Sequence, residues 1–268
     1  MKYGFIGTGC MGGALATACA KAIGPEDILL SNRSPEKAQA LAEKLGAIPA
    51  DNETITRDCD VIFLGVKPQT MAQMLLPLQP ILTGRRTPFV LVSMAAGVTI
   101  ETLQDMAGGR YPVVRIMPNT ACAVGAGMTT YTCSAEVTDR QRQAALDALA
   151  ASGLLEEIEE GLMGAASAVA GCGGAYACLF LEGLADGGVL CGLPRKKAQR
   201  MAAQMLLGMA TQALESDEHT GTLKDAVCSP AGSTIAGIRK LESMSFRSAA
   251  MEAVIAAWER EREMQQQK

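Results

Sequence analysis

The sequence of 268 residues contains a single histidine, His219, and only 4% aromatic residues. One histidine excludes a multi-histidine metal site and a histidine cluster for acid–base catalysis, and we predict no metal site. Lys and Arg together number 24 against 28 Asp and Glu. Because nucleic-acid binding needs a concentrated positive surface, we expect no nucleic-acid partner.

Disulfides and membrane segments are also not expected. The nine cysteines are odd in number, irregularly spaced and without a C-x-x-C pair, which is typical of reduced thiols in the cytoplasm. Few apolar residues precede the first glycines, so no signal peptide is predicted. Residues Gly161–Leu181 are uncharged and long enough to cross a bilayer, but they are rich in Gly, Ala and Ser. We expect a helix buried against another helix there, and no membrane span.

The chain divides into two parts by pattern. Short apolar runs alternate with helical patterns up to residue 160, which indicates a parallel sheet covered on both faces. After Gly161 only helices are expected. The fold class is therefore α/β, with a Rossmann-type domain, the fold typical of NAD(P) binding, over residues 1–160 and an all-α domain over 161–268. The predicted strands are Lys2–Ile6, Asp27–Ser31, Val61–Val66, Phe89–Ser93 and Val113–Met117. The predicted helices of the second part are Gly174–Cys191, Arg195–Glu215, Ser233–Lys240 and Phe246–Glu263.

A glycine-rich segment follows the first strand. Residues 7–12 read Gly-Thr-Gly-Cys-Met-Gly, the pattern G-x-G-x-x-G, and a helical pattern follows them. In this context Gly7 permits a tight turn, Gly9 lets a pyrophosphate approach the backbone, and Gly12 lets the helix pack closely on the strand. The segment predicts a dinucleotide whose phosphates lie at the helix N-terminus.

The end of the second strand favours NADPH, with NADH as a second option. It reads Ser31-Asn32-Arg33-Ser34, without the carboxylate that binds the ribose 2′-hydroxyl in NAD enzymes. An arginine and hydroxyl groups suit a 2′-phosphate. The alternative is that Arg33 is a solvated charge and Ser34 only a helix N-cap.

Three further strand ends outline a crevice for the nicotinamide half of the cofactor, since ligands bind at the carboxyl ends of strands in open α/β sheets. Lys67 could act in catalysis, or its backbone could lie beside the cofactor. The predicted cofactor-binding residues are Ile6, Gly7, Thr8, Gly9, Cys10, Met11, Gly12, Asn32, Arg33, Ser34, Asn52, Val66, Lys67, Pro68, Met94, Ala95, Ala96 and Asn119.

Several motifs together resemble those of the pyrroline-5-carboxylate reductase family, and the resemblance covers essentially the whole chain. They include the glycine loop, Val66-Lys67-Pro68, residues 115–120 (Arg-Ile-Met-Pro-Asn-Thr) and residues 182–189 (Glu-Gly-Leu-Ala-Asp-Gly-Gly-Val). The most specific is Leu223-Lys224-Asp225 with residues 229–237, Ser-Pro-Ala-Gly-Ser-Thr-Ile-Ala-Gly. The chain departs from the family pattern at Ala121, Cys172, Gly174 and Ala231, where small residues are retained.

The resemblance implies hydride transfer from NADPH to the C=N carbon of 1-pyrroline-5-carboxylate, which gives L-proline. It implies that Ala231, Gly232, Ser233 and Thr234 bind this cyclic imine and that the Thr234 hydroxyl, the one predicted catalytic group, hydrogen-bonds the imine nitrogen. The residues agree, because a small-residue turn that opens a helix leaves free amides for a carboxylate. The alternative for Ser233 and Thr234 is simple N-capping. Asp225 either approaches the site or is solvated.

Self-association is expected, because the apolar faces of the helical part are too extensive for about 108 residues to cover. The resemblance also implies that residues 161–268 form the domain for dimerisation and substrate binding, with a site at the dimer interface and a higher homo-oligomer. Three alternatives stay open, and the first is the reduction of a related imine with NADPH. A β-hydroxyacid dehydrogenase would need a basic residue in the stretch Gly171–Phe180, which holds no Lys, His or carboxylate. A non-enzymatic NADP sensor would not need the turn at 229–237.

Overall fold

The computed structural model describes residues 1–266 and places the first part of the chain in one mixed sheet of eight strands. The strands are β1 Tyr3–Ile6, β2 Ile28–Ser31, β3 Ile48–Pro49, β4 Val61–Leu64, β5 Val90–Ser93, β6 Val113–Met117, β7 Gly127–Cys133 and β8 Gly153–Glu157. Their order in the sheet is β3-β2-β1-β4-β5-β6-β7-β8. Neighbouring strands are parallel except for β6 and β7, which are antiparallel. The predicted all-parallel sheet is therefore extended by two strands of opposite direction.

The strands β1, β2, β4, β5 and the first four residues of β6 are fully buried, as their continuous apolar sequences predict. Alternate residues enter two cores, one on each face. Phe5 and Phe63 lie in one core with their rings stacked at 4.3 Å between centroids, whereas Ile6, Ile62 and Leu64 belong to the other.

Helices cover both faces of the sheet. Those of this part are α1 Cys10–Ile23, α2 Pro35–Leu45, α3 Asn52–Asp58, α4 Pro68–Leu75, α5 Gln79–Gly84, α6 Ile100–Ala107, α7 Asp139–Leu149 and α8 Met163–Ala166. Residues of α1 and α7 enter the core around Phe5 and Phe63, and residues of α3 to α6 enter the other. A π-helical turn, Ser167–Gly171, follows α8.

The remaining helices are α9 Gly173–Leu190, α10 Arg195–Glu215, α11 Thr220–Ala226, α12 Ser233–Ser243 and α13 Phe246–Gln266. The described residues after 160 contain no strand, as predicted. By proximity of the backbone, the first compact unit is Met1–Cys172 with the chain from Ala257 on, and the second is Gly173–Ala256. The functional boundary at 160/161 stays a prediction.

The second unit leaves much apolar surface exposed. Residues Glu160–Leu190 form a helical run that is long and apolar enough to cross a membrane by length and composition alone, and 11% of the tested window is buried. The expectation of a buried helix is wrong for the single chain, because only Met163, Ser167 and Ala168 are buried between residues 161 and 181. One chain holds too few apolar partners to cover this segment.

Candidate active site

The glycine loop joins β1 to α1 with the backbone that the sequence predicts. Gly7 has φ +98°, a left-handed conformation that favours glycine, and its N–H donates to the Ser31 carbonyl at 3.0 Å. A Cβ at Gly12 would overlap the Gly7 carbonyl oxygen, whereas a Cβ at Gly9 would meet no atom of the protein within 4 Å. The space beside Gly9 is therefore open at the start of α1, where unpaired amides attract phosphate, and the loop fits a dinucleotide.

Side chains at the end of β2 form a hydrogen-bonded network. Asn32 Nδ2 donates to Thr8 Oγ1 at 3.1 Å, and Asn32 Oδ1 accepts from the Ser34 N–H at 3.1 Å. Ser31 Oγ donates to Asn52 Oδ1 at 2.5 Å. Arg33 is exposed, and no carboxylate stands at this strand end. The network thus ties the glycine loop, the β2 end and the start of α3 together, with Arg33 free to meet an anion.

An aspartate fixes the start of α3, the helix that carries Asn52. Asp51 is the N-cap residue, and its Oδ1 accepts from the Thr54 N–H at 2.6 Å. Hydrogen bonds from Thr54 lower the pKa of the Asp51 carboxyl below its ordinary value. The cap therefore works best with Asp51 ionised.

The ends of β4 and β5 lie beside the glycine loop. The Gly65 N–H donates to the Ile6 carbonyl at 2.8 Å, and the Met94 N–H donates to the Leu64 carbonyl at 3.4 Å. Val66 and Met94 are half-buried. Lys67 is exposed at the N-cap of α4, and none of the ion pairs among the described residues includes it. The crevice is thus built mostly of backbone and apolar side chains. The long, exposed side chain of Lys67 lies at its rim.

Asn119 is held by the protein itself. Its Oδ1 accepts from the N–H groups of Ala121 at 3.2 Å and Met128 at 3.4 Å, and its Nδ2 donates to the Ala170 carbonyl at 3.0 Å. These bonds join the end of β6 to β7 and to the π-helical turn. The side chain positions this loop, and the predicted contact with the cofactor stays a prediction.

The predicted substrate turn lies in the second unit, at the start of α12. Gly232 is the N-cap residue of this helix, so neither Ser233 nor Thr234 is the N-cap, contrary to the simpler alternative. Both hydroxyls are exposed and make no hydrogen bond among the described residues. Ala231, where the family has glycine, has φ +56°, which is strained for a residue with a Cβ. The turn therefore leaves both hydroxyls unpaired among the described residues, and the first amides of a helix have no partner within it.

Gly65 and Asp225 add to what the sequence predicts for these two regions. Gly65 was not among the predicted site residues, although a Cβ there would overlap the Gly7 carbonyl oxygen. The signal available was a glycine at the end of a buried strand. Asp225 is exposed and pairs with Lys224 at 3.0 Å.

The fold and the glycine loop define the class: an oxidoreductase with a Rossmann domain, whose β3-β2-β1-β4-β5-β6 order places the loop where the strand order reverses, followed by a helical domain. Family descriptions agree. "Pyrroline-5-carboxylate reductase dimerisation" matches residues 160–264, and "NADP oxidoreductase coenzyme F420-dependent" matches residues 2–97.

Individual relatives narrow the class to one family. The chain is 40% identical to a pyrroline-5-carboxylate reductase of Methanosarcina acetivorans, over 98% of this chain and 97% of the relative. It is 37% identical to the Escherichia coli enzyme of that name, over 97% and 96%. A Plasmodium falciparum pyrroline carboxylate reductase, solved with NADP bound, superposes with a TM-score of 0.87 at 34% identity, covering 99% of this chain and 98% of the other. The chain belongs to the pyrroline-5-carboxylate reductase family.

Proposed function

We propose that this chain reduces 1-pyrroline-5-carboxylate to L-proline with NADPH, with Thr234 as the catalytic hydroxyl. The observation that carries the residue assignment is the turn before α12, where the exposed Thr234 hydroxyl has no hydrogen-bond partner among the described residues. The family supplies the reaction, and the open glycine loop fits the cofactor.

The cofactor would be held by the residues around the glycine loop. The amides at the start of α1 would bind the pyrophosphate, and Arg33 with Ser34 would bind the 2′-phosphate. Val66, Met94, Ala95 and Ala96 would form the apolar wall of the nicotinamide crevice. NADPH, when bound, supplies the hydride that forms the new C–H bond at the imine carbon.

The substrate turn would orient the imine rather than activate it by proton transfer. The amides of the first turn of α12 would bind the substrate carboxylate, while the Thr234 hydroxyl would hydrogen-bond the ring nitrogen. A protonated imine is already electrophilic, so its nitrogen takes up the C=N electron pair without a general acid. The rate would rest on orientation and electrostatic placement, which suits a chain with one histidine.

The assay is NADPH oxidation with 1-pyrroline-5-carboxylate, comparing the wild type with Thr234→Ala and Thr234→Ser. Because one hydrogen bond to the reacting group is removed, we expect Thr234→Ala to lower kcat/KM by about 10–100-fold. Thr234→Ser keeps the hydroxyl and should retain most of the activity. NADPH affinity, measured separately, should be unchanged in both variants.

Two outcomes of this assay would contradict different parts of the proposal. No NADPH oxidation by the wild type would refute the reaction. Full activity of Thr234→Ala would refute only the role of the hydroxyl.

We further propose that the protein works in the cytoplasm as a higher homo-oligomer built from dimers. All nine cysteines are unpaired, which suits a reducing compartment. The dimerisation domain and the exposed apolar helices support association. Light scattering of the purified protein would measure the number of copies.

A further inference from the structure

A cavity of about 390 Å³ lies in the first unit, and none of the residues assigned to cofactor and substrate lines it. Side chains from β6, from the segment after β8 and from the last turns of α13 line it. The chemically distinctive ones are Arg115, Glu160, Trp258, Glu261 and Arg262. The proposed reaction uses none of them.

Arg115 is the buried charge in this cavity, with a side chain only 4% exposed. Its Nη1 donates to Glu160 Oε1 at 2.9 Å, and the same oxygen accepts from the Ile100 N–H at 2.7 Å. Arg115 Nε is buried without a hydrogen-bond partner, and Nη2 makes no hydrogen bond among the described residues.

The guanidinium of Arg115 has one nitrogen left for a ligand. Glu160 occupies Nη1, and Nε is enclosed by the protein, so a ligand in the cavity does not reach it. Nη2 is neither hydrogen-bonded among the described residues nor fully enclosed. A charged N–H donor of this kind suits a carboxylate oxygen of a ligand.

The remaining charges of the cavity decide the class of ligand. Glu261 accepts a hydrogen bond from Ser167 Oγ at 2.5 Å on one oxygen, and Arg262 lies over the Trp258 ring at 4.9 Å. The walls thus carry two guanidinium and two carboxylate groups. A simple anion would face both carboxylates and a simple cation both guanidinium groups, whereas a zwitterion satisfies both signs. The Trp258 ring adds an apolar surface.

We propose that this cavity binds a free neutral α-amino acid, with its carboxylate on Nη2 of Arg115 and its ammonium group toward Glu261. A cavity of this size holds an aliphatic amino acid. The inference goes beyond the proposed reaction and does not depend on it.

Trp258 is the single tryptophan of the chain, so its fluorescence reports on this cavity. Without cofactor, the protein is titrated with glycine, L-alanine, L-valine and L-leucine. We expect a saturable change with at least one of them below about 10 mM. The leucine analogues 4-methylpentanoate and 3-methylbutylamine, each lacking one charge, should give none. No saturable response to any amino acid, or an analogue response equal to that of leucine, would overturn the proposal.

Variants locate the binding. Arg115→Lys keeps the charge but lacks a donor at the position of Nη2, and should weaken binding about tenfold or more. Because Arg115 is buried and its variant could fail to fold, Glu261→Gln tests the ammonium side separately with the same expected loss. The matched control is Arg260→Gln, on the same helix, where the arginine is exposed and pairs with Glu263. An Arg260→Gln loss equal to that of Glu261→Gln would refute the site.

The reductase and the amino-acid site can fail independently. Thr234→Ala should keep the full fluorescence response, which separates this cavity from the substrate turn. A protein that oxidises NADPH with 1-pyrroline-5-carboxylate but gives no saturable response refutes only the amino-acid site.

Discussion

We expect a few side chains at the end of β2 to decide the choice of cofactor. Asn32 is held by Thr8 and by the Ser34 N–H, so the exposed Arg33 next to it starts from a fixed backbone. A guanidinium gains more from a 2′-phosphate than from a 2′-hydroxyl because the former is charged and accepts two hydrogen bonds. This arrangement makes Arg33 the residue with which to test the preference for NADPH.

We expect Arg33→Ser to raise the KM for NADPH by about tenfold and to leave the KM for NADH almost unchanged. Steady-state kinetics with both cofactors measure this. Lys44→Ser, which removes an exposed cation from the far end of α2, is the control and should change neither value. Equal losses for NADPH and NADH in Arg33→Ser would show that the side chain does not contact the 2′ position.

The cap of α3 gives a pH-dependent prediction. The folded-state pKa of Asp51 is lowered, so its contribution to stability is full above the ordinary carboxyl pKa and is lost as pH falls through the lowered value. Asp51→Ala should lower the free energy of unfolding by about 1 kcal/mol at neutral pH, which is typical of a lost N-cap.

The difference between wild type and Asp51→Ala, measured by urea unfolding at fixed protein concentration, should shrink below about pH 4. Asp51→Asn retains an oxygen acceptor without the charge, so it should stay close to the wild type at low pH. A deficit of Asp51→Ala that is the same at every pH would show that the carboxylate is not the stabilising group.

His219 has a structural role that its sequence context does not predict. Its side chain is exposed. Its Nδ1 also accepts from the Gly221 N–H at 3.0 Å and caps α11, a helix that the sequence patterns did not predict. A seven-residue helix with one buried residue carries too short an apolar period to be recognised.

At the junction of β1 and α1, two glycines have different roles. At Gly12 an added Cβ would overlap backbone, whereas at Gly9 it would enter open space. Gly12 therefore serves the fold, and Gly9 is expected to serve the ligand. Substitution to alanine distinguishes these roles.

We expect Gly9→Ala to leave the unfolding midpoint nearly unchanged while weakening NADPH binding about tenfold or more, because the methyl group occupies the space of the pyrophosphate. Gly12→Ala should lower the unfolding midpoint as well as the affinity. Thermal unfolding and NADPH titration of both variants measure these effects. Normal NADPH affinity in Gly9→Ala would place the phosphates elsewhere.

The sequence predicts the strands whose residues are all buried. It does not predict the strands that carry polar or exposed residues. Runs such as Val61–Leu64 are apolar throughout, and the structure confirms five of them. Strand β7 was missed because it reads Gly-Met-Thr-Thr-Tyr-Thr-Cys, with Thr129 and Thr130 buried despite their hydroxyls. Strand β8 contains Glu156 and Glu157 and lies at the sheet edge, where one flank is unpaired. Tertiary pairing, rather than local pattern, defines these two strands.

For the whole molecule, the exposed apolar helices of the second unit are the dominant feature. Ala185 is the single buried residue of α9, and no residue of α12 is buried in the isolated chain. Leu207 on α10 is 57% exposed, and Leu214 71%. Patches of this kind mark interaction surfaces, and the family description of residues 160–264 as a dimerisation region gives the partner as a second copy. The sequence indicated association from composition, but the surface that associates needed the structure.

We therefore expect the wild type to sediment as a dimer or larger assembly and Leu207→Glu to shift toward monomer, since a buried carboxylate without a partner disfavours association strongly. Sedimentation velocity over a range of protein concentrations measures the shift. The matched control is Leu76→Glu, which places the same charge at a 64% exposed leucine of the first unit and should leave the assembly intact. If Leu207→Glu assembled as the wild type does, the α10 face would lie outside the interface, and the apolar surface of α9, α12 and α13 would have to supply it.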